Sequence, residues 1–541
     1  MRSAFKSAAL ITLLFSLASI AYGATVSGTV KGPDGKPFKG AFVEAQELDS
    51  RITTNVLSNK DGLYRIENLP EGDYQLKVSA VGYRFEPITG IHLTTDQNAT
   101  YGIALEKGTV HWTDLSIYQG AQLLPDGPGK AKLASACFRC HGFQSRMAAQ
   151  VRDETGWRDR VNYMRTSFGY LLRDVNEQDR DSVTAYLTKY FGPDSPLAHS
   201  PADLPGYEEV KQPPFSDEAT KIVYVSFELP GSNRFPGASK PERDGNVWIW
   251  EYRGHWFGKL DPKTGVITEY SIPNVDQASN HSVVIGPDGM IWFSEQATDT
   301  IGKMDPVTHA ITRYKEPSRG TKHTLVVDSK GMVWGTGEPL TRLDPETGTF
   351  HDFPGVHNAY GIALDKDENV WFSEFTKDGK IGKVDAKTGK ITKYQQPTPE
   401  SWPRRLKIDA QGNVWFCEYE AGKIARFDPR TETFKEYPLP GGRPTPYALV
   451  VDQNTGHIWF SSMEMDTISE LDPASGKITQ YPFLFSENGM RDFFQDAEGR
   501  IWWGSQANNR VGYFYLAGSA ASQRAAVDAP SVLGSRNAAG K

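Results

Sequence analysis

Cys137-Phe138-Arg139-Cys140-His141 places two thiols three positions apart and an imidazole directly after the second. This is the attachment signature of a c-type haem: the thiols add to the two vinyl groups, and the adjacent His is forced under the iron. One covalent haem c on Cys137, Cys140 and His141 is therefore predicted. A zinc site would need two more ligands nearby, and the only other cysteine is Cys417. That thiol sits two residues after Trp415 inside a strand pattern and reads as a buried apolar group. Trp157, Val161 and Met164 share one face at helical spacing, which makes Met164 the predicted sixth iron ligand. Met147 is the runner-up, and His111 or His199 would give a bis-His iron instead. The bland reading of Met164 is ordinary core on an amphipathic helix.

A second constellation comes from a repeat. Trp248, Trp292, Trp334, Trp371, Trp415, Trp459 and Trp502 recur at intervals of 37 to 44 residues, and an Asp (261, 305, 344, 385, 428, 472) follows each of the first six. Positions filled alike in every unit serve the unit, whereas positions that vary are free to carry a site. Eleven residues before Trp stand His281, His323, Tyr360, Arg404 and Arg491, with Tyr447 one residue further because of an insertion. Three residues after Trp stand Glu251, Glu295, Glu374 and Glu418. His281 and His323 are the predicted catalytic candidates. Tyr360, Arg404, Tyr447, Arg491, Glu295, Glu374 and Glu418 are the predicted substrate-binding set, a mixture suited to an anionic or hydroxylated ligand.

Positioning these groups takes several elements. The chain has 541 residues, too many for one core, and 51 Gly, 34 Pro and 12% aromatics favour short strands and many turns over long helices. A unit of about 43 residues with four short strands is a propeller blade. Seven blades are predicted over 219–516, with the lone strand near 221–229 completing the last one. Residues 1–24 have the charged, apolar and small-residue parts of a secretory signal, and 25–108 alternate like a β-sandwich. Residues 109–192 read as a small helical haem domain with helices over 119–140 and 157–191. Residues 193–218 read as an extended Pro-rich linker, and 517–541 as a disordered tail. The fold class is thus mainly β and multidomain: sandwich, α-helical cytochrome c domain, seven-bladed propeller. A net charge of -7 without a basic run excludes nucleic acid. After signal cleavage no segment would span a membrane, so a periplasmic or secreted location is expected.

Three resemblances sharpen this. The strand runs from Val26-Ser27-Gly28-Thr29-Val30 to Val81-Gly82-Tyr83 resemble the carboxypeptidase regulatory-like (transthyretin-like) domain. Trp157-x3-Val161-x2-Met164 after the Cys-x2-Cys-His motif resembles the haem domains of quinohaemoprotein amine dehydrogenases. Gly289-Met290-Ile291-Trp292-Phe293-Ser294-Glu295, followed by Ile301-Gly302-Lys303-Met304-Asp305-Pro306, resembles virginiamycin B (streptogramin B) lyase. That last resemblance implies two His in consecutive blades, matched by His281 and His323, and a divalent metal in the propeller. It also implies Glu two residues before the second His and fourteen after it, where this chain has Thr321 and Gly337. His281 and Glu295 keep the right separation, but Ser279 precedes that His. The expected function is an exported monohaem cytochrome acting in electron transfer or as a haem-dependent oxidoreductase. Its partners would be a redox protein and a small-molecule or carbohydrate ligand at the propeller face. The alternatives are a streptogramin-type carbon-oxygen lyase and a cell-envelope carbohydrate- or protein-binding protein.

Overall fold

The computed structural model describes residues 23–139, 141–167, 172, 174–276, 278–317 and 323–522. Residues 1–22 of the predicted secretory signal, Cys140, Thr321 and most of the predicted tail fall outside these.

Six four-stranded antiparallel sheets follow one another from Pro236 to Pro482. The seventh blade takes three strands from the C-terminal end and its fourth from Ile222–Glu228, which pairs along the whole of Arg510–Leu516. Joining the two ends of the propeller in one blade closes the ring by backbone hydrogen bonds. The register Trp of every blade is buried, at 0 to 3% exposure. Each removes on the order of 200 Å² from water, roughly 5 kcal/mol at ~25 cal/mol per Å². In four blades an Asp six residues earlier accepts the indole N–H: Asp328, Asp365, Asp409 and Asp496, at 2.7 to 3.1 Å. The repeated Asp after Trp works differently, turning the chain between strands. Asp305 Oδ1, for instance, accepts from the N–H groups of Val307 and Thr308.

The N-terminal sandwich packs a three-stranded sheet, with Ala24–Lys31 at its centre, against strands Phe42–Glu47, Thr53–Leu57, Gly72–Ser79 and Ile88–Leu93. Val26, Val43, Ile66, Leu76 and Leu93 form its core. Thr53–Leu57 also pairs antiparallel with Ile222–Glu228. Sandwich and seventh blade therefore share one eight-stranded sheet.

The middle segment is helical but more broken than its periodicity predicts. Ile117–Leu123 stops before Pro125, and the chain resumes after Gly129, at φ +93°, a conformation that favours glycine. Helical residues predicted over 157–191 fall in two helices, Glu154–Ser167 and Glu177–Phe191, the second being capped by Asn176. Residues 193–218 do not run as a free linker. Trp112 Nε1 donates to Ala198 O, Ser200 Oγ to Val110 O and Gln119 Nε2 to Val210 O, and Tyr207 is buried. They strap the helical segment onto the propeller, where its core is continuous with Tyr360, Phe375, Tyr419, Tyr447 and Met463 of blades four to six. Polar contacts fix the docking: Tyr118 N to Glu464 O, Ser145 N to Glu487 Oε2 and Ser486 Oγ to Thr113 O. Among the described residues no helix is long and apolar enough to cross a membrane.

Candidate functional site

The innermost strands Asn280–Ile285, Ala359–Leu364, Pro403–Ile408 and Pro446–Val451 all break register near their first residues. Each break brackets one of His281, Tyr360, Arg404 and Tyr447. An inserted residue re-aims a side chain that regular pleating would send into the blade, and here it sends each toward the axis. His323 and Arg491 occupy the same level without belonging to a strand. The structure brings all six together. The ring centroids of His281 and His323 lie 3.5 Å apart with the planes tilted by 35°, and the His323 centroid lies 4.2 Å from that of Tyr360. Tyr360 and Tyr447 hydrogen-bond through their hydroxyls. Arg404 Nη2 donates to Tyr360 Oη at 3.1 Å, and its guanidinium lies 3.6 Å from the Tyr447 ring. Arg491 approaches the same ring at 5.0 Å and donates to Gln506 Oε1.

Burial, reinforced by Arg405 and Arg491, holds the His281 imidazole neutral. His323 is kept neutral by burial, by His281 and by Arg405. For Tyr447, burial acts to raise the phenol, but Arg404, Arg491 and Arg405 together outweigh it and pull its pKa below the usual tyrosine value. The site thus offers two neutral imidazoles, two guanidiniums and a phenol that ionises readily. It can bind an anion and accept a proton from a hydroxyl or an acidic carbon.

Glu295, Glu374 and Glu418 are not part of this group. Glu295 is fully buried between strands and accepts from Arg313 and from Thr298 Oγ1. Glu374 pairs with Lys393 and accepts from His357 N. Glu418 is buried in its blade beside Glu436 and Lys423, and burial pushes its pKa up to about 8. Glu295 and Glu374 thus tie neighbouring strands, whereas both carboxyl oxygens of Glu418 are buried without a hydrogen-bond partner among the described residues. Among the described residues no group of three or more His, Cys, Asp or Glu side chains is placed to hold a metal ion.

The axial cluster forms one wall of a cavity of about 350 Å³, whose opposite wall carries Cys137, His141 and Met164. A second cavity of about 510 Å³ shares those three residues and continues among Val161, Leu172 and Leu187. His141 Nδ1 lies 2.8 Å from Gly142 O, and burial with Arg146 nearby pulls its pKa down to about 3. A carbonyl can only accept, so Nδ1 carries the proton and Nε2 presents its lone pair, as an iron-ligating imidazole must. Apolar walls and the buried, unpartnered Nε of Arg146 suit a porphyrin with acidic edges. The residues present fit a haem. Met147 lines only the second cavity, and the exposed His111 and His199 line neither. Cys417 is buried and donates to Tyr447 O. Arg146, Arg160 and Arg253, which join Arg404 and Arg491 around the first cavity, were not singled out in the sequence. They belong to no repeat register that would mark them.

Fold and site together define a seven-bladed propeller with a polar axial site under a helical cap. Residues 218–453 and 348–529 match the Virginiamycin B lyase family, and the chain belongs to that family. Residues 25–106 match the carboxypeptidase regulatory-like domain. Among solved structures, virginiamycin B lyase from Staphylococcus aureus is 23% identical with a TM-score of 0.50, covering 55% of this chain and 99% of the lyase. A streptogramin B lyase structure is 24% identical with a TM-score of 0.51, covering 56% of this chain and 100% of that one. At these identities the likeness is one of fold. No curated protein compared with the chain matches it significantly.

Proposed function

We propose that this protein is an exported haem-dependent oxidoreductase that takes an anionic, hydroxylated small molecule at the propeller axis. The observation that carries the reading is the shared cavity, in which Cys137, His141 and Met164 face His281, His323, Tyr360, Arg404, Tyr447 and Arg491. Cys137 and Cys140 would hold the haem covalently, His141 and Met164 would ligate its iron, and Arg146 would meet its acidic edge. When bound, the haem supplies one-electron acceptance and exchange with a redox partner protein. The chain's own residues do the rest. Arg404 and Arg491 bind the substrate's anionic group. Tyr447, its phenol eased toward ionisation by those arginines, takes the hydroxyl proton, and Tyr360 passes a hydrogen bond into it. The neutral His pair accepts further hydrogen bonds, and the helical cap excludes water.

The test is expression with c-type haem maturation, followed by a reduced-minus-oxidised spectrum and mass analysis of the Cys137–Cys140 peptide. Covalent haem is expected, and Met164→Ala should alter the ligand-field spectrum without releasing it. Anionic alcohols and phenols are then screened by haem reduction, which Arg404→Met and Tyr447→Phe should abolish while leaving the spectrum intact. A chain that matures without haem would overturn the reading.

Family membership and the close His281–His323 pair support a second reading, a carbon-oxygen lyase with one of these histidines as general base. It predicts streptogramin B ring opening that is lost in the His281→Ala, His323→Ala double variant. Ring opening that persists in that variant, or none in the parent, removes it.

A further inference from the structure

Below the axial cluster the propeller channel continues as a separate cavity of about 290 Å³. Three cations line it, Lys240, Arg405 and Lys407, against one carboxylate, Asp492. Asp492 Oδ1 pairs with Lys407 at 3.0 Å, and Oδ2 stands 3.8 Å from Arg405. Arg405 is 2% exposed, donates to Thr324 Oγ1 and Arg491 O, and leaves Nη2 without a hydrogen-bond partner. Lys240 lies 5.4 Å from the Phe494 ring and, among the described residues, makes no ion pair. Lys240 is half-buried, and burial, followed by Lys407, brings its pKa down to about 8 against the opposing pull of Asp492. Trp250 lines the same space, and its buried indole N–H is also unpartnered. Of the rest of the wall, Val284, Val326, Ile362, Leu364 and Leu406 are apolar, and His281, Ser282 and Thr324 are polar.

Buried donors without acceptors are costly, and one carboxylate does not satisfy three cations. We infer that this channel is a binding site for a small organic carboxylate with an apolar body. Its two oxygens would take the Arg405 Nη2 and Lys240 donors, and its body would rest on Val326, Leu364 and Leu406. An inorganic anion would answer the charge but leave the apolar wall bare. A neutral ligand would leave the cations unanswered. The inference does not depend on haem, and the cavity shares one lining residue, His281, with the axial site above.

Benzoate is the probe, titrated calorimetrically into the full-length protein, with benzyl alcohol and sulfate as controls. Saturable binding of benzoate is expected, with benzyl alcohol at least tenfold weaker. Lys240→Met should weaken benzoate at least tenfold, and this variant should fold, since it removes an uncompensated charge. Leu364→Phe, which narrows the channel from its apolar end, should weaken it as well and gives a second route if Lys240→Met fails to fold. Equal binding of benzyl alcohol overturns the inference, as does full displacement of benzoate by equimolar sulfate. So does loss of binding in Arg404→Met with none in Lys240→Met, because the probe then sits in the upper cavity.

Discussion

Tyr447 and Glu418 show how position alone changes the chemistry of ordinary side chains. Both are buried, yet Tyr447 lies among Arg404, Arg491 and Arg405 and is pulled down, whereas Glu418, with Glu436 beside it, is pushed up to about 8. An ultraviolet titration should find a phenol ionising well before the other tyrosines, and Tyr447→Phe should remove that step. For Glu418 the folded state holds its proton more tightly than the unfolded chain. Stability is therefore lost as pH rises from the ordinary carboxylate range through about 8. Glu418→Gln fixes the neutral form. It should melt several degrees above the parent at pH 9 and level with it at pH 5, as measured by calorimetry.

Blades repay a reading at the level of the strand. The register break that turns His281, Tyr360, Arg404 and Tyr447 inward recurs from blade to blade, so the site is a variation on a repeated backbone device. The carboxylate three residues after Trp belongs to the same repeat but closes the sheet. Glu295 has no exposure and holds Arg313 of the outer strand in a two-pronged pair. Arg313→Met would leave that carboxylate buried and unpaired. A loss of about 3 kcal/mol in denaturant unfolding is expected, most of it restored by adding Glu295→Gln. The Glu residues were legible as a register, and Arg313 and Lys393 stand 18 and 19 residues after Glu295 and Glu374, but that offset marks a pair only once the outer strand is known to approach the second.

Across the whole molecule, the sandwich and the helical segment are built into the propeller. Strand Ile222–Glu228 pairs on one side with Arg510–Leu516 and on the other with Thr53–Leu57, so one strand serves ring closure and sandwich attachment together. Asn55→Pro removes an N–H from the middle of that shared sheet and should cost ~3 kcal/mol or more. Scanning calorimetry should then show the sandwich melting ahead of the propeller, with the propeller transition itself lowered. On the other face, the helical segment, packed against the strap from 193–218, covers the axial cluster and lines the cavity with it.

By itself the sequence determined the seven blades, the strand that closes them, the Cys-x2-Cys-His motif and the six-residue axial register. All of these are local or periodic, and period survives in one dimension. Only the tertiary structure decided that Cys137, His141 and Met164 face Tyr447 and Arg404 across a cavity, since they are separated by more than two hundred residues of chain. It alone moved the Glu register out of the site and merged sandwich with blade. It alone gathered the half-buried Lys240 and Lys407 around the buried Arg405 as one cationic group. A strand's two faces look equivalent in sequence until the ring closes and makes one of them the inside.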